Sequence, residues 1–395
     1  MAMRLPHMQL EMIVAAVTAG VLILAAPRLR RSWLVEKRAR LAKGAAEDQE
    51  AQSDDDQPAY RSLTEQSVLV RRPTIKLESL PLDAVPARLS CAFYFDFEAA
   101  CSRTRPAHDL GAAQLAEYLQ ATHNVGAALD GLHEYVVATL SALQVANQHR
   151  SIMAADGKAL DSGNGPVCIG DVSVSLGEGD LFMADRLIGG NRAPSDRRSQ
   201  HRITVNGGCR IEGGTFDVSN GDIWIGRGTH IQAGALLCGP AIIGSNCTIR
   251  HNAFVRGDVA IGHGSVIGCE MKHALTMDEV ELPHHGYVGD SLLGHKAHFG
   301  SGACTANFPL FANRAPAIEI ESARYDLGRR KFGAVLGDGA QLGCQSVTEP
   351  GTLLGPNTHC YPLSRLRGLY GPDVLVKNRT GVEVVPLQEL GAGPT

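Results

Sequence analysis

Residues 225–267 read IGRGTHIQAGALLCGPAIIGSNCTIRHNAFVRGDVAIGHGSVI. Large aliphatic residues recur here at every sixth position: Ile225, Ile231, Leu237, Ile243, Ile249, Val255, Ile261 and Ile267. Mostly small residues follow each aliphatic by four positions: Thr229, Ala235, Ala241, Cys247, Ala253, Val259 and Ser265. A period of six matches neither an α-helix nor an alternating strand. It is typical of a solenoid whose coils have three flat sides, with the aliphatics inside. The stretch therefore predicts an all-β main domain, a left-handed parallel β-helix.

The repeat also predicts the limits of this domain. Its phase slips after Ile267, resumes at Tyr287, Leu293 and Phe299, and breaks again over 306–332. We expect the β-helix to span 223–368, with 306–332 as a loop that leaves the coil. Interruptions of this kind are where solenoids place binding groups.

Weaker β patterns surround the β-helix. An irregular β region is expected over 166–222, before the regular coil begins, and the tail at 369–395 carries no repeat.

The N-terminal segment 8–26 is apolar except for three polar residues, and its length is close to the minimum for crossing a bilayer. Basic residues follow it, with only Arg4 ahead of it: Arg28, Arg30, Arg31, Lys37, Arg38, Arg40 and Lys43. This asymmetry predicts a single signal anchor that keeps the main domain in the cytosol. A cleaved or organellar targeting segment and a helix lying at the membrane surface stay open as alternatives.

Between the anchor and the coil, residues 27–75 are first basic and then acidic, which is typical of a flexible linker. Residues 76–165 predict a small, mostly helical module that acts as a cap or an oligomerisation element. Its apolar residues recur at helical spacing: Leu115, Leu119, Val125, Leu129, Leu132, Val136 and Leu140. We expect two helices there, with a break near His123–Gly126.

Composition excludes some classes of partner. The net charge is −4 and the pI is about 6.4, so no basic surplus favours nucleic acid. The ten cysteines form no CxxC pair and no metal-ligand spacing, which favours free thiols in a reducing compartment and no bound metal.

Polar residues with chemical potential cluster where the repeat is disturbed. Arg256 and Lys272 are two cations that could hold a phosphate. His284 could take a proton near neutral pH, and Tyr287 and Asn307 lie close by in the sequence. Each of these residues, taken alone, is more commonly a solvated residue of a coil surface. The hypothesis of a site depends on their clustering.

Residues 269–307, CEMKHALTMDEVELPHHGYVGDSLLGHKAHFGSGACTAN, carry a family resemblance. They are similar to the acetyltransferase domain of bifunctional N-acetylglucosamine-1-phosphate uridylyltransferase/glucosamine-1-phosphate acetyltransferases, and closer still to archaeal-type sugar-phosphate nucleotidylyltransferases with a β-helix tail. The matching motifs are Glu270–Lys272, His284 with Tyr287, Val288–Ser291, Gly300–Gly302 with Asn307, Gly328–Gly333 and Leu336–Asp338. The resemblance covers about 223–368.

The resemblance implies an acetyl-CoA-dependent N-acetyltransferase of UDP-N-acetylglucosamine synthesis, acting on an amino-sugar 1-phosphate of the glucosamine-1-phosphate type. His284 would be the general base. Arg256 and Lys272 would hold the sugar phosphate, and Tyr287 would contact the same ligand. Asn307 would act in catalysis by orienting the acetyl group or the CoA arm.

The resemblance also implies a homotrimer with sites between neighbouring coils. Phe308 and Cys344 would face the cofactor, Phe308 in place of a family tyrosine. His298 would contact the substrate, where the family has an asparagine. The family lysine in the next loop has no clear match, since Asn313 and Arg314 occupy that place. Nothing upstream of the coil resembles a nucleotidylyltransferase, so uridylyl transfer is not expected.

Other functions stay open. The chain could be a related acyltransferase with another amino sugar or acyl donor, or a catalytically silent β-helix that serves as a scaffold or regulatory subunit. Residues 255–259 and 261–264 also echo γ-class carbonic anhydrases. Their zinc needs two histidines five residues apart, and the position five after His263 is Gly268.

Overall fold

A computed structural model describes most of the chain beyond the predicted linker. The described residues are 74–102, 112–146, 152–153, 159–160, 167–169, 172–176, 180–189, 202–310 and 316–378. The predicted anchor at 8–26, nearly all of the linker at 27–75 and the last part of the tail lie outside these residues. Within the described ranges, no helix is long and apolar enough to cross a membrane.

The main domain is a parallel β-helix whose coils have three sides. The strands of side 1 are Leu181–Phe182, Arg210–Ile211, His230–Ile231, Thr248–Ile249, Val266–Ile267, Glu281–Leu282, His298–Phe299, Gln341–Leu342, His359–Cys360 and Leu375–Val376. Those of side 2 are Arg186–Ile188, Thr215–Asp217, Leu236–Cys238, Phe254–Val255, Cys304–Thr305, Val347–Thr348 and Arg365–Leu366. Those of side 3 are Val172–Ser175, Arg202–Val205, Ile223–Ile225, Ala241–Ile243, Val259–Ile261, Ala334–Leu336, Thr352–Leu354 and Leu369–Tyr370. Two longer strands, Glu270–Thr276 and Tyr287–Leu293, contribute to both side 2 and side 3.

The interior of the coil follows the predicted hexads. All eight aliphatics from Ile225 to Ile267 are 0% exposed, and the small residues between them are at most 1% exposed. Each fully buried aliphatic side chain of this size stabilises the fold by about 1.5–3 kcal/mol. The parallel β-helix is therefore confirmed, and the hand of the coil stays a prediction.

The slip in the repeat is a shortened corner. The inward residue after Ile267 is Met271, only four positions later. On side 2 of the next coil, the inward residue is Val288, which pairs with Met271. The hexad pattern predicted that the repeat resumes with Tyr287 as an interior residue. That prediction is wrong, because Tyr287 points outward and is half-buried. His273 turns the corner between sides 2 and 3 with a left-handed backbone, at φ 48°.

Among the described residues, the helical module has five α-helices and three short 3-10 turns. The helices are α1 Cys91–Tyr94, α2 Phe97–Ser102, α3 Ala112–Ala121, α4 Val125–Asp130 and α5 Leu132–Ala146. The turns are Leu77–Ser79, Leu82–Ala84 and Ala87–Leu89. Asn124 caps α4, since its Oδ1 accepts hydrogen bonds from the backbone N–H groups of Gly126 and Ala127, both at 2.9 Å. The chain breaks within the predicted His123–Gly126 interval, and Gly131 adds a second break.

The helices cover side 3 of the coil. The central residues of the side 3 strands point outward and are at most 1% exposed: Trp224, Ile242, Ala260, Leu275, Leu292, Val335 and Leu353. They form one apolar cluster with the buried residues of the helices. The side 3 strands are therefore buried on both faces, which explains their continuous apolar runs.

The loop predicted at 306–332 contains a small β element. Ala317–Ile320 and Ala323–Asp326 form an antiparallel hairpin, and Thr74–Lys76 adds a parallel strand to its edge. A short antiparallel pair, Ile152–Met153 with Ala159–Leu160, and the strand Val167–Ile169 precede the regular coils. The hairpin returns the chain to residues 328–331, beside the corner between sides 2 and 3.

Candidate functional site

Side 2 brings several of the predicted site residues onto neighbouring strands. Val255 pairs with Met271, so the next residues, Arg256 and Lys272, lie side by side on adjacent strands. The backbone N–H of Arg256 donates to the carbonyl of Met271 at 2.8 Å. In the next coil, Tyr287 pairs with Glu270. Two cations and a phenol thus share one outward-facing surface.

The two cations differ in what already binds them. Nη1 of Arg256 lies 2.5 Å from Oε1 of Glu270, and its guanidinium lies 5.6 Å from the ring centre of Phe254. Lys272 is half-buried, and its ammonium has no hydrogen-bond or ion-pair partner among the described residues. Lys272 is therefore the more available cation for an incoming anion.

Asn307 closes this surface one coil further along. Its Nδ2 donates to the hydroxyl of Tyr287 at 3.0 Å and to Oδ2 of Asp290 at 2.6 Å. Burial raises the pKa of the Tyr287 phenol, which therefore stays protonated at neutral pH. Phe308 follows Asn307 and is 46% exposed, an unusual state for a large aromatic side chain.

His284 and Cys344 share the corner between sides 1 and 2. Both are exposed, and the side chain of His284 has no hydrogen-bond partner among the described residues. The backbone connects their coils, since Gly302 N–H donates to the His285 carbonyl at 2.9 Å and Gln345 N–H donates to the Ser301 carbonyl at 2.8 Å. An exposed, unpartnered imidazole at an edge is free to act on a ligand.

His298 was predicted to contact the substrate, but within one chain it lies apart from the other substrate-binding residues. It lies on side 1, where its Nδ1 is 3.2 Å from Oε2 of Glu281. Arg256, Lys272, Tyr287 and Asn307 lie on side 2 instead.

The corner between sides 2 and 3 holds a charged cluster that the sequence did not predict. Asp258, His273 and Asp290 occupy this corner in three successive coils, each with a left-handed φ between 47° and 53°. Nδ1 of His133, at the start of α5, lies 2.5 Å from Oδ1 of Asp258. Nδ1 of His273 lies 3.7 Å from Oδ2 of the same carboxylate.

Arg329 completes the cluster from the loop. Its Nη1 lies 2.6 Å from Oδ1 of Asp130 at the end of α4, and its Nη2 lies 3.3 Å from Oδ1 of Asp290. A pocket of about 460 Å³ opens here, and its lining residues are Asp130, Asp290, Phe308, Gly328, Arg329, Arg330 and Lys331. The family motif at 328–333 contains Arg329, but no feature of the sequence indicated Asp130 as its partner.

The His133–Asp258 pair predicts a pH-dependent stability. Its hydrogen bond to Asp258 raises the pKa of His133 above its ordinary 6.5, so this contribution is full below 6.5 and is lost as the pH rises through the folded-state value. Interactions with His273 and His133 lower the pKa of Asp258 below 3.8, so that contribution is lost as the pH falls through the lowered value. We expect His133→Gln to cost less than about 1 kcal/mol, because His133 is half-exposed.

Urea unfolding of wild type and His133→Gln at about pH 5.5 and pH 9 measures this difference. The two proteins should differ at pH 5.5 and converge at pH 9. His251→Gln is the control, since His251 has no carboxylate partner in the described part of the chain. A difference that grows at pH 9 would contradict the assignment of the ion pair.

His263 is the histidine in the segment that echoes γ-class carbonic anhydrases. This side chain is 0% exposed, and its Nδ1 accepts a hydrogen bond from the backbone N–H of Ser245 at 2.7 Å. Across the described ranges, no three His, Cys, Asp or Glu side chains lie close enough together to hold a metal ion.

Comparison with known proteins identifies the repeat. Residues 222–257 match the family described as "Bacterial transferase hexapeptide (six repeats)". Similar relatives include "Bifunctional protein GlmU" of Methanococcus vannielii, 35% identical over 118 residues, which are 30% of this chain and 27% of the relative. The "Bifunctional sugar-1-phosphate nucleotidylyltransferase/acetyltransferase" of Sulfurisphaera tokodaii is 30% identical over 144 residues, 36% of each chain.

A third relative has a greater share of its length matched. The "Uncharacterized acetyltransferase YaiX" of Escherichia coli O6:K15:H31 is 32% identical over 149 residues, 37% of this chain and 64% of the relative. The chain thus spans less than two thirds of each of these three proteins. The repeat and these similarities fit a hexapeptide-repeat acetyltransferase domain.

Proposed function

We propose that this chain is an acetyl-CoA-dependent N-acetyltransferase that acts on an amino-sugar 1-phosphate of the glucosamine-1-phosphate type. The observation that carries the proposal is the surface of side 2, where the unpaired Lys272 lies near the hydrogen-bonded pair Tyr287 and Asn307. The exposed His284 lies at the adjoining corner. The similarity to the "Bifunctional sugar-1-phosphate nucleotidylyltransferase/acetyltransferase" of Sulfurisphaera tokodaii supports this choice of acceptor.

The chemistry uses the chain's own side chains. Lys272 and Arg256 bind the phosphate of the sugar by charge-assisted hydrogen bonds, and Tyr287 contacts the sugar. His284 takes a proton from the amine as that amine attacks the thioester carbonyl of acetyl-CoA. The tetrahedral oxyanion then collapses and the C–S bond breaks. The departing sulfur takes the proton from the His284 imidazolium, so that CoA leaves as a thiol while the acetyl group stays on nitrogen. Correct positioning of amine and thioester supplies much of the rate.

We place acetyl-CoA across side 2, from its corner with side 1 toward Phe308. Cys344 lies exposed at this corner, two coils beyond His284. Phe308, 46% exposed, offers an aromatic face for the cofactor near Asn307. Cofactor binding by Phe308 and Cys344 is part of the proposal.

We also propose a homotrimer with sites between neighbouring coils. Side 3 is covered by the helices of the same chain, which leaves sides 1 and 2 for contacts between subunits. Exposed apolar side chains support this arrangement, with Val347 on side 2 and Tyr361 and Leu363 at its corner with side 1. The mass of the detergent-solubilised protein by light scattering tests it, and a monomer would exclude it.

A membrane anchor at 8–26, with the main domain in the cytosol, completes the proposal. The basic residues that follow this segment support it. Extraction of membranes with alkaline carbonate tests the anchor. The full chain should stay in the pellet, and its release into the supernatant would exclude a spanning segment.

Release of CoA from acetyl-CoA in the presence of glucosamine 1-phosphate tests the activity. We expect Lys272→Met to raise KM for the sugar phosphate by about 10- to 100-fold, because a hydrogen bond to a charged group contributes about 1.5–3 kcal/mol. The KM for acetyl-CoA should change little. Lys296→Met is the matched control, since Lys296 pairs with Glu279 on the surface, 3.6 Å away. Absence of turnover by wild type with any amino-sugar phosphate would exclude the proposed function.

A catalytically silent scaffold is the second candidate. The observation that favours it is the position of His298, which pairs with Glu281 on side 1, whereas the related enzymes would need a sugar contact from this position. Binding of sugar phosphate without CoA release would support the scaffold.

A further inference from the structure

A continuous set of hydrogen bonds connects the helical module with the proposed site. It runs from Asp130 through Arg329 and Asp290 to Asn307 and Tyr287. We propose that Arg329 is a positioning residue, which through Asp290 fixes the side-chain amide of Asn307 so that Asn307 offers only its Oδ1 to the acceptor amine. This inference rests on the proposed acetyl transfer for its kinetic test, and a structural test below is independent of activity.

The orientation of the Asn307 amide follows from its two partners. Asp290 is a carboxylate and can only accept, so the atom of Asn307 that lies 2.6 Å from Oδ2 must be the nitrogen. A reversed amide would place two acceptor oxygens against each other at that distance. The second hydrogen of Nδ2 is directed to the hydroxyl of Tyr287, 3.0 Å away.

Both N–H groups of Asn307 are therefore used inside the chain. The amide has no donor left for the carbonyl oxygen of an acetyl group, and it retains one acceptor, Oδ1. An acceptor atom suits the N–H of the attacking amine, whose lone pair must point at the thioester. This assigns Asn307 to the orientation of the acceptor substrate, whereas the resemblance implied the acetyl group or the CoA arm.

Asp290 is held in place by both its backbone and its charge. Its backbone is left-handed at φ 47°, and its carbonyl accepts a hydrogen bond from the Gly333 N–H at 2.8 Å. Its side chain is only 7% exposed, so the carboxylate needs a cation, and Arg329 supplies one at 3.3 Å. Without that cation, the buried charge would draw water or reorient, and the amide of Asn307 would lose its fixed partner.

Arg329 is itself fixed from two directions. Asp130 of α4 lies 2.6 Å from Nη1, and the side chain of Arg329 is only 13% exposed. Its Nε donates to the carbonyl of Lys331 at 3.1 Å, which sets the loop around it. The ion pair of Asp130 with Arg329 thus connects the helical module with the acceptor side of the proposed site.

A double-mutant cycle tests the coupling. We expect Arg329→Met to lower kcat/KM for the acceptor about 10-fold or more, with KM for acetyl-CoA within about twofold of wild type. In an Asn307→Ala background, the same change should lower it by less than about threefold, because Arg329 acts through Asn307. Equal effects in both backgrounds would overturn the proposal. Arg210→Met is the control, since Arg210 pairs with Glu212 on side 1, away from the site.

Two further variants separate positioning from folding. Arg329→Lys keeps the charge, so its kcat/KM should be higher than that of Arg329→Met. The melting temperatures of these two variants should differ much less than their kcat/KM values. Asp130→Asn replaces Arg329→Met as the test if Arg329→Met does not fold, because the Asp130 side chain is 61% exposed. It should lower kcat/KM for the acceptor in the same way but by a smaller factor. A loss of stability with unchanged kinetics in Asp130→Asn would overturn the positioning role.

A structural readout decides the proposal even where no acetyl transfer is found. In a crystal structure of the full-length Arg329→Met variant, the Asn307 side chain should leave its position between Asp290 and Tyr287. An unchanged Asn307 would overturn the inference. Absence of turnover by wild type, by contrast, would exclude only the proposed reaction.

Discussion

His284→Ala is expected to lower kcat for CoA release by about 10²- to 10⁴-fold, the range that a positioned general base contributes. The imidazole of His284 is exposed and has no partner in the described part of the chain, so its loss leaves the coil intact. Binding of the sugar phosphate should persist, because Lys272 lies on the next strand and keeps its charge. Steady-state kinetics together with calorimetric binding of glucosamine 1-phosphate measure both quantities.

His285→Ala is the matched control for this result. His285 is the next residue along the same corner and is also exposed, and among the described residues its hydrogen bond is made by its backbone carbonyl. It should retain wild-type turnover. Loss of activity in His285→Ala with retention in His284→Ala would move the base by one residue, and full activity in both variants would remove the histidine mechanism.

Trp224→Ala should destabilise the protein by about 3–5 kcal/mol, the usual cost of truncating a large buried aromatic residue. Among the described residues, Trp224 has the largest fully buried side chain and is 1% exposed, at the contact between side 3 and the helices. Its removal would leave a cavity between two layers. Urea unfolding followed by far-ultraviolet circular dichroism measures the change.

Trp224→Phe is the control that isolates the cavity. The indole Nε1 is buried and has no hydrogen-bond partner among the described residues, so its loss removes an unsatisfied donor. The phenyl ring keeps most of the apolar contact, and the variant should lose far less stability than Trp224→Ala. A change of less than about 1 kcal/mol in Trp224→Ala would contradict the docking of the helices on side 3.

The coil could be predicted from the sequence because its signal is local and periodic. Ile231, Leu237 and Ile243 each fill the interior of one side, and six residues separate them regardless of what surrounds the coil. The continuous apolar runs around Trp224 and Ile242 correspond to strands of side 3 that are buried on both faces. Nothing in these runs indicated which segment of the chain covers side 3. That information is tertiary, since the helices pack on strands from many coils at once.

The candidate site was only partly accessible to the same reasoning. Lys272, Tyr287 and Asn307 share a surface as the motifs implied. The cluster around Asp258 and Asp290 is built from residues at a corner of the coil, and the hexad repeat indicates only which residues face the interior. The partnership of Asp130 with Arg329 joins residues far apart in sequence, and no spacing rule reports such a contact.

The strand Thr74–Lys76 limits how far the chain can be trimmed for study. It pairs with Ala323–Asp326, which would otherwise present a free β edge to solvent. A shortened protein that starts after Lys76 would therefore invite self-association at the hairpin and loosen the loop behind it. Fragments for crystallisation or assay should begin upstream of Thr74, even where the proposed membrane anchor at 8–26 is removed.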